Sequence, residues 1–314
     1  MTDGIDVLVH EVGPRDGLQS IQTIFPTEVK LDWIRAEAEA GVSLIQVGSF
    51  VPPKLLPQLA DTAEVVAACK EIEGLTMSVL VPNLEGAENG MKAGAHMIGL
   101  VLSVSEAHNQ NNVRRSVQES LDDFARIVEH RDSDPAYADI VISGGMATSF
   151  GCTISGRVDP ADVMRVAEGL VERGAQRLSV ADTVGYANPG QVKDLFTELF
   201  RTVGDDVPIG AHFHDTRGLG LANVYAALEA GVHEFDASLG GLGGCPYAPG
   251  ATGNIVTEDL VFLLESMGLR TGIKLDGLIA AREIMERHLD GEPTHGTYVT
   301  AGPPKGFVPA SKAA

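Results

Sequence analysis

What this chain can fold into is limited above all by an alternation that runs its whole length. Short apolar runs recur at Val7–Val9, Leu44–Val47, Met77–Val81, Ile98–Leu102, Ile140–Ile142, Leu178–Val180, Ile209–His214 and His233–Asp236. They are largely continuous rather than alternating, which suits strands covered on both faces in a parallel sheet. Between them, helical spacing marks Thr27–Ala40, Val113–His130, Pro160–Arg173, Pro189–Val203 and Leu219–Ala230. Asp159-Pro160 and Asn188-Pro189 are start signals, and Gly41, Gly174 and Gly231 are stop signals. Eight such β-then-α units predict an α/β fold, a single (β/α)8 TIM barrel over residues 1–290. A Gly/Pro-rich tail over 291–314 is expected to wrap loosely or fray. A doubly wound sheet also fits the alternation, but no dinucleotide or phosphate-loop glycine fingerprint follows an early strand.

The 314 residues include 23 Lys+Arg against 43 Asp+Glu, a net charge of -20, which argues against nucleic acid or an anionic membrane as partner. Three cysteines, Cys69, Cys152 and Cys245, are too few and odd in number for a disulfide framework. The acidic N-terminus, Met1–Asp6, lacks the order of a secretory signal. The longest apolar stretch, Met97–Val104, falls far short of the ~20 residues that cross a bilayer. The expectation is a cytoplasmic protein.

In a barrel of this type, chemistry sits at the carboxyl ends of the strands. Polar residues collect there: Glu11, Arg15 and Asp16 after the first strand, Gln46 and Ser49 at the second, Asp182 and Thr183 at the sixth, and His212, His214 and Asp215 at the seventh. After the eighth comes a Gly-rich loop, Gly240–Tyr247, and then Gly253-Asn254. His212 and His214, two apart on a strand, point to the same face and can reach one ion. With a carboxylate from Asp16 and an amide oxygen from Asn254, the donors suit Mg2+ or Mn2+ better than a structural zinc. The alternative is a pair of packed, hydrogen-bonded barrel histidines. Cys245, set among glycines, reads either as a general acid or base or as a small buried apolar group. Cys69 and Cys152 read as structural.

The segments Glu11–Gln19, His212–Thr216 and Gly241–Gly250, with Asn254 and Thr257–Leu260, resemble the 3-hydroxy-3-methylglutaryl-CoA lyases. The likeness runs from about Val7 to Leu275. Isopropylmalate synthases and hydroxy-ketoacid aldolases share the Arg-Asp and His-x-His pieces but not the cysteine loop. The resemblance implies that Asp16, His212, His214 and Asn254 hold a divalent cation, Mg2+ or Mn2+. It implies that Arg15 stabilises an enolate, that Cys245 transfers a proton, and that Asp182 is an active-site carboxylate. The implied reaction is retro-Claisen cleavage of an acyl-CoA thioester, 3-hydroxy-3-methylglutaryl-CoA, to acetyl-CoA and acetoacetate. His212 and Asp182 are both open as acceptors of the hydroxyl proton. A homo-oligomer, dimer or higher, is expected by analogy.

A CoA thioester carries phosphates, so the acidity is assigned to outer helices at Glu37, Glu39, Asp122 and Asp123. Lys54, Asn112, Arg114 and Arg115 are then the candidates for phosphate contact at the mouth, each equally readable as a solvated helix end. One departure stands out: Gln46 occupies the place of a family glutamate on the second strand. It implies either the same activity or a related 3-hydroxyacyl-CoA, of methylmalyl or citramalyl type, as substrate. Arg217 is a further candidate partner for a substrate carboxylate. An acetyl-CoA-dependent Claisen synthase and a non-catalytic barrel are the competing classes.

Overall fold

The computed structural model describes residues 4–243 and 253–312. Eight parallel strands, β1 (Leu8–Glu11), β2 (Leu44–Ser49), β3 (Thr76–Val81), β4 (Met97–Ser103), β5 (Val141–Ala147), β6 (Arg177–Asp182), β7 (Ile209–Phe213) and β8 (Glu234–Ala237), pair in sequence order. Leu8 opposite Glu234 through Glu11 opposite Ala237 closes the ring. Closure excludes the doubly wound alternative, which would leave two sheet edges.

The outer layer is made by α1 (Thr27–Ala40), α2 (Thr62–Cys69), α3 (Leu84–Ala93), α4 (Glu106–Val113), α5 (Val117–Ser133), α6 (Pro160–Glu172), α7 (Pro189–Val203), α8 (Gly220–Glu229), α9 (Thr257–Ser266), α10 (Leu275–Glu286) and α11 (Tyr298–Ala301). The core lies between barrel and helices. Ile45, Met77, Ile98, Ile142 and Phe235 point outward from the strands and are fully buried. Phe196 of α7 meets Phe213 of β7 edge to face, with ring centroids 6.5 Å apart. No helix among the described residues is long and apolar enough to cross a membrane.

Three expectations are corrected. The helix expected over Val113–His130 starts only at Val117, because Val113 ends α4, Arg114 takes a left-handed backbone (φ 56°) and Ser116 starts α5 with a capping box. Ser116 Oγ accepts from Glu119 N at 3.1 Å, and Glu119 Oε2 accepts from Ser116 N at 2.7 Å. The tail does not fray as far as Lys312. The Asp259 carboxylate accepts from the backbone N–H of Thr297 and Tyr298, and that of Glu265 accepts from Ser311 N and Oγ. Tyr298 and Phe307 pack on Phe262, each with ring centroids 5.1 Å away. Finally, Glu37 and Asp123 are buried rather than on the outer face, while Glu39 and Asp122 are exposed. Asp123 is taken inward by Arg115 and Arg126, at 2.9 and 3.0 Å.

Among the described residues, Glu37 has no cation. Its Oε1 accepts from Trp33 Nε1 at 2.7 Å, its Oε2 finds no hydrogen-bond partner among the described residues, and Glu11 and Glu258 lie near enough to repel it. Burial, then the charge of Glu11, holds its carboxyl well above the ordinary 4.5. Folded Glu37 therefore keeps its proton at pH values where the unfolded chain has lost it, and stability falls as pH rises above about 4.5. Glu37→Gln keeps an acceptor for Trp33 and removes the titration. Denaturant melts at pH 5 and pH 8 should show the variant losing less stability over that interval than wild type, by about 1 kcal/mol or more. Equal losses would remove Glu37 as the source.

Candidate active site

The first wall of the site is a single turn of π-helix, Gly13–Gly17, at the end of β1, with all five residues buried. Such turns interrupt regular backbone frequently where function needs it. The carbonyl of Val12 accepts from the N–H groups of both Arg15 and Asp16, at 3.1 and 2.6 Å. Gly13 is required by space, since a Cβ there would lie 2.6 Å from Glu11 Oε1. That Glu11 carboxylate points away from the barrel interior. It accepts from Gly13 N (2.8 Å), Leu239 N (3.0 Å) and Thr257 Oγ1 (2.6 Å), tying the turn to the exit of β8 and the start of α9.

The turn aims Arg15 and Asp16 into the barrel mouth. Arg15 NH1 donates to Asp16 Oδ1 at 2.5 Å, and Arg15 Nε donates to Gln46 Oε1. The pairing of β2 with β3 shifts register between Gln46 and Gly48, a bulge of the sort that re-aims a side chain beside a site. Asp16 also accepts from Gln19 Nε2 at 3.0 Å and from Asn254 Nδ2 at 2.8 Å. Burial works against a charged Asp16, but Arg15 and then the two histidines of β7 outweigh it and hold the group below its ordinary value.

Across from Asp16, His212 Nε2 and His214 Nε2 lie 3.1 Å apart. One candidate ligand atom each from Asp16, His212 and His214 falls within 4.8 Å of the others. Asn254 donates Nδ2 to Asp16 and to Leu242 O, which leaves Oδ1 without a hydrogen-bond partner of good geometry among the described residues. Gly243 makes this possible, because a Cβ there would sit 2.4 Å from Asn254 Nδ2. An ionised carboxylate, two converging imidazole nitrogens and an open amide oxygen form a donor set that fits a divalent cation.

His212 Nδ1 meets Asp236 Oδ2 at 3.1 Å, and Asp236 Oδ1 meets His10 Nδ1 at 2.9 Å. His10 Nε2 continues to Ser78 Oγ at 2.8 Å. Burial opposes protonation of His212, yet the hydrogen bond and charge of Asp236 outweigh it and raise its pKa. His214, with burial and the neighbouring His212 charge against it, is pushed down to about 4 and is neutral at pH 7, as a ligand must be. Asp236 and His10 were not singled out from the sequence. Their signal is positional, since each occupies an inward register position of a short strand.

The remaining candidates divide. Asp182 is buried, and its two oxygens accept from Tyr186 N (2.8 Å) and Ala187 N (3.0 Å). Burial raises its pKa against those bonds. It does not line the cavity, whereas Ala181 and Thr183 beside it do. Arg217 gives NH1 to the carbonyls of Val184 and Gly185 and lies 4.8 Å over the ring of Tyr186, so it braces the loop after β6. Asn112, Arg114 and Arg115 line the mouth of a cavity of about 790 Å3; Lys54 is exposed and outside that lining. Cys245 lies outside the described residues.

The pattern of one protein family, HMGL-like, matches residues 6–285. The chain belongs to the HMGL-like family. Hydroxymethylglutaryl-CoA lyase of Bacillus subtilis strain 168 is 41% identical over 287 residues, 91% of this chain and 94% of that protein. The mitochondrial hydroxymethylglutaryl-CoA lyase of Mus musculus is 40% identical over 89% of this chain and 84% of that protein. Among solved structures, the HMG-CoA lyase of Bacillus subtilis superposes with a TM-score of 0.88 at 39% identity, covering 96% of this chain and 99% of the other. An HMG-CoA lyase from Acinetobacter baumannii, in complex with coenzyme A and 3-methylmalate, gives 0.89 at 41% identity over 98% and 99% of the two chains.

Within this HMGL-like site, Asp236 fixes which nitrogen His212 turns toward His214 and Asp16, as a carboxylate behind a ligating histidine does. Asp236→Asn should weaken Mn2+ binding about 10- to 100-fold. Isothermal titration of the metal-stripped protein measures this, and unchanged affinity would remove Asp236 from that role.

Proposed function

We propose that this chain is a divalent-metal-dependent lyase that cleaves 3-hydroxy-3-methylglutaryl-CoA to acetyl-CoA and acetoacetate. The observation that carries the reading is the convergence of Asp16, His212 and His214 beside the Arg15 guanidinium, with Asn254 hydrogen-bonded to Asp16, in a chain of the HMGL-like family. Those four residues are the proposed ligands of Mg2+ or Mn2+. When bound, such an ion supplies Lewis acidity to the 3-hydroxyl of the substrate.

The reaction balances without a further reactant. The hydroxyl proton leaves, the bond between C2 and C3 breaks, C3 becomes the ketone of acetoacetate, and the electron pair passes to the thioester enolate. A proton added at C2 of that enolate completes acetyl-CoA. Arg15 is assigned to the enolate oxygen, where a permanent cation acts in a site largely removed from water. Of the two candidates for the hydroxyl proton, His212 lines the cavity and Asp182 does not, so the proton is assigned to His212, with the Asp236 carboxylate behind its Nδ1. Cys245 is assigned the proton delivered to C2, on the resemblance of its loop. Arg114, Arg115 and Asn112, at the cavity mouth, are the proposed contacts for the CoA phosphates, with Lys54 nearby in sequence to Pro52 and Leu55 of the same rim.

The reading is tested by mixing purified protein, Mg2+ and 3-hydroxy-3-methylglutaryl-CoA and following release of acetyl-CoA. Turnover should require the metal and stop on addition of EDTA. Arg15→Met should lose about 100- to 1000-fold in kcat, the scale of one oxyanion-stabilising donor. Cys245→Ala should lose most turnover while retaining Mn2+ binding. Absence of acetyl-CoA with wild type, or full activity in either variant, would overturn the corresponding assignment.

A further inference from the structure

A barrel of this kind normally fills its interior with layers of large branched side chains. Here the wall from β4 to β6 does not. Gly99 of β4 is paired with Ser143 of β5, and Gly145 of β5 with Ser179 of β6, so the small residues are neighbours across two successive strand pairs. All four line the same cavity as Arg15, Asp16, His212 and His214, and its lining continues down the barrel to Met97 and Arg177. Arg177 stands four residues before Ala181 on β6, roughly 13 Å along the strand. The site therefore has a deep recess beneath the ligand cluster, on the side away from the mouth where Arg114 and Arg115 stand.

The lining of the recess is polar. Ser78 and Ser179 engage the His10–Asp236 pair, while Ser143 Oγ has no side-chain or backbone hydrogen bond given to another described residue. Arg177 closes the floor in an ion pair with Glu234 at 2.9 Å. A methyl group at C3 of the substrate would leave this space to water.

We infer that the recess is a specificity pocket, and that the substrate this chain handles best is a 3-hydroxyacyl-CoA whose C3 branch is several carbons longer than methyl and ends in a hydrogen-bonding group. The inference rests on the retro-Claisen reading and refines its substrate. The branch runs down the β4–β6 wall past Gly99, and its polar end meets Ser143 near the floor. The thioester arm leaves through the mouth.

Gly99 provides the test, because a Cβ at that position would meet only Val79 O, at the ordinary distance of 3.7 Å. A leucine there fills the recess without a backbone collision. The probes are 3-hydroxy-3-methylglutaryl-CoA and its analogue with an ω-hydroxybutyl group in place of the methyl. Wild type should cleave the analogue with a kcat/KM at least equal to that for the methyl compound. Gly99→Leu should lower the analogue-to-methyl ratio of kcat/KM at least tenfold, the discrimination expected when a pocket loses room for even one carbon. Ser143→Leu, on the adjacent strand, should move the ratio the same way and stands in if the first variant fails to fold. A wild type that prefers the methyl compound more than tenfold, or folded variants that leave the ratio within twofold, would overturn the pocket while the lyase reading stood. Cleavage of neither thioester would overturn both.

Discussion

The site exists because a buried carboxylate, that of Glu11, holds three distant pieces of chain together. Its oxygens accept from Gly13 at the π-turn, Leu239 at the exit of β8 and Thr257 at the start of α9. The first piece carries Arg15 and Asp16, the second leads into the glycine loop, and the third follows Asn254 by three residues. Barrel closure brings β1 and β8 side by side, but strand pairing alone fixes only backbone; Glu11 fixes the loops above it. The arrangement is costly, since Glu11, Glu37 and Glu258 are all buried and all held above their ordinary pKa, chiefly by burial. Among the described residues, only Glu258 of the three has a cation, Arg282 at 2.8 Å. Such a concentration of acid is tolerated because the three supply acceptors that helix and loop N–H groups need.

The sequence made the barrel legible because each strand is covered on both faces, and continuous apolar runs are the direct trace of that burial. The ends of α1 and α7 fall where the periodicity and capping residues put them. The meeting of the two histidines was legible for a related reason: a strand's two-residue period forces His212 and His214 to one face whatever surrounds them. What was not legible depends on contacts between distant residues. Residue type does not distinguish Glu37 from Glu39, yet one lies one turn from Trp33 on the buried stripe of α1 and the other faces water. Asp123 looks like half of an acidic surface pair until Arg115 and Arg126 are seen closing on it. Asp236 and His10 are 226 positions apart, and only the pairing of β1 with β8 makes them partners.

The same distinction reinterprets the charge of -20. Several of its acids are internal ties rather than surface field, and each neutralising arginine is spent on one of them. Arg282 pairs with Glu258, Arg177 with Glu234, and Arg115 partly with Asp123. Arg114 differs. Its left-handed backbone at the end of α4 leaves it exposed on the cavity rim, next to exposed Asn112. A phosphate-bearing ligand would meet positive potential there by local geometry, not by the overall balance of the protein.

Gln46 then takes on a physical meaning. It accepts from Arg15 Nε as a carboxylate would, so the direction of the guanidinium is preserved. An amide, unlike a carboxylate, adds no negative charge to the space shared by Arg15 and the ligand cluster. Asp16 alone, among the described residues, stands as Arg15's ion-pair partner, and Asp16 is also one of the proposed ligands. The guanidinium is thus less neutralised than with an acid at position 46, and more of its field is left for an oxygen that becomes negative during reaction. The hollow wall opposite works on a different part of the substrate, through volume rather than charge. Reactivity at the enolate and tolerance at the C3 branch are therefore set by separate residues, Gln46 on one side and Gly99, Ser143 and Gly145 on the other, and each can change without disturbing the ligand cluster between them.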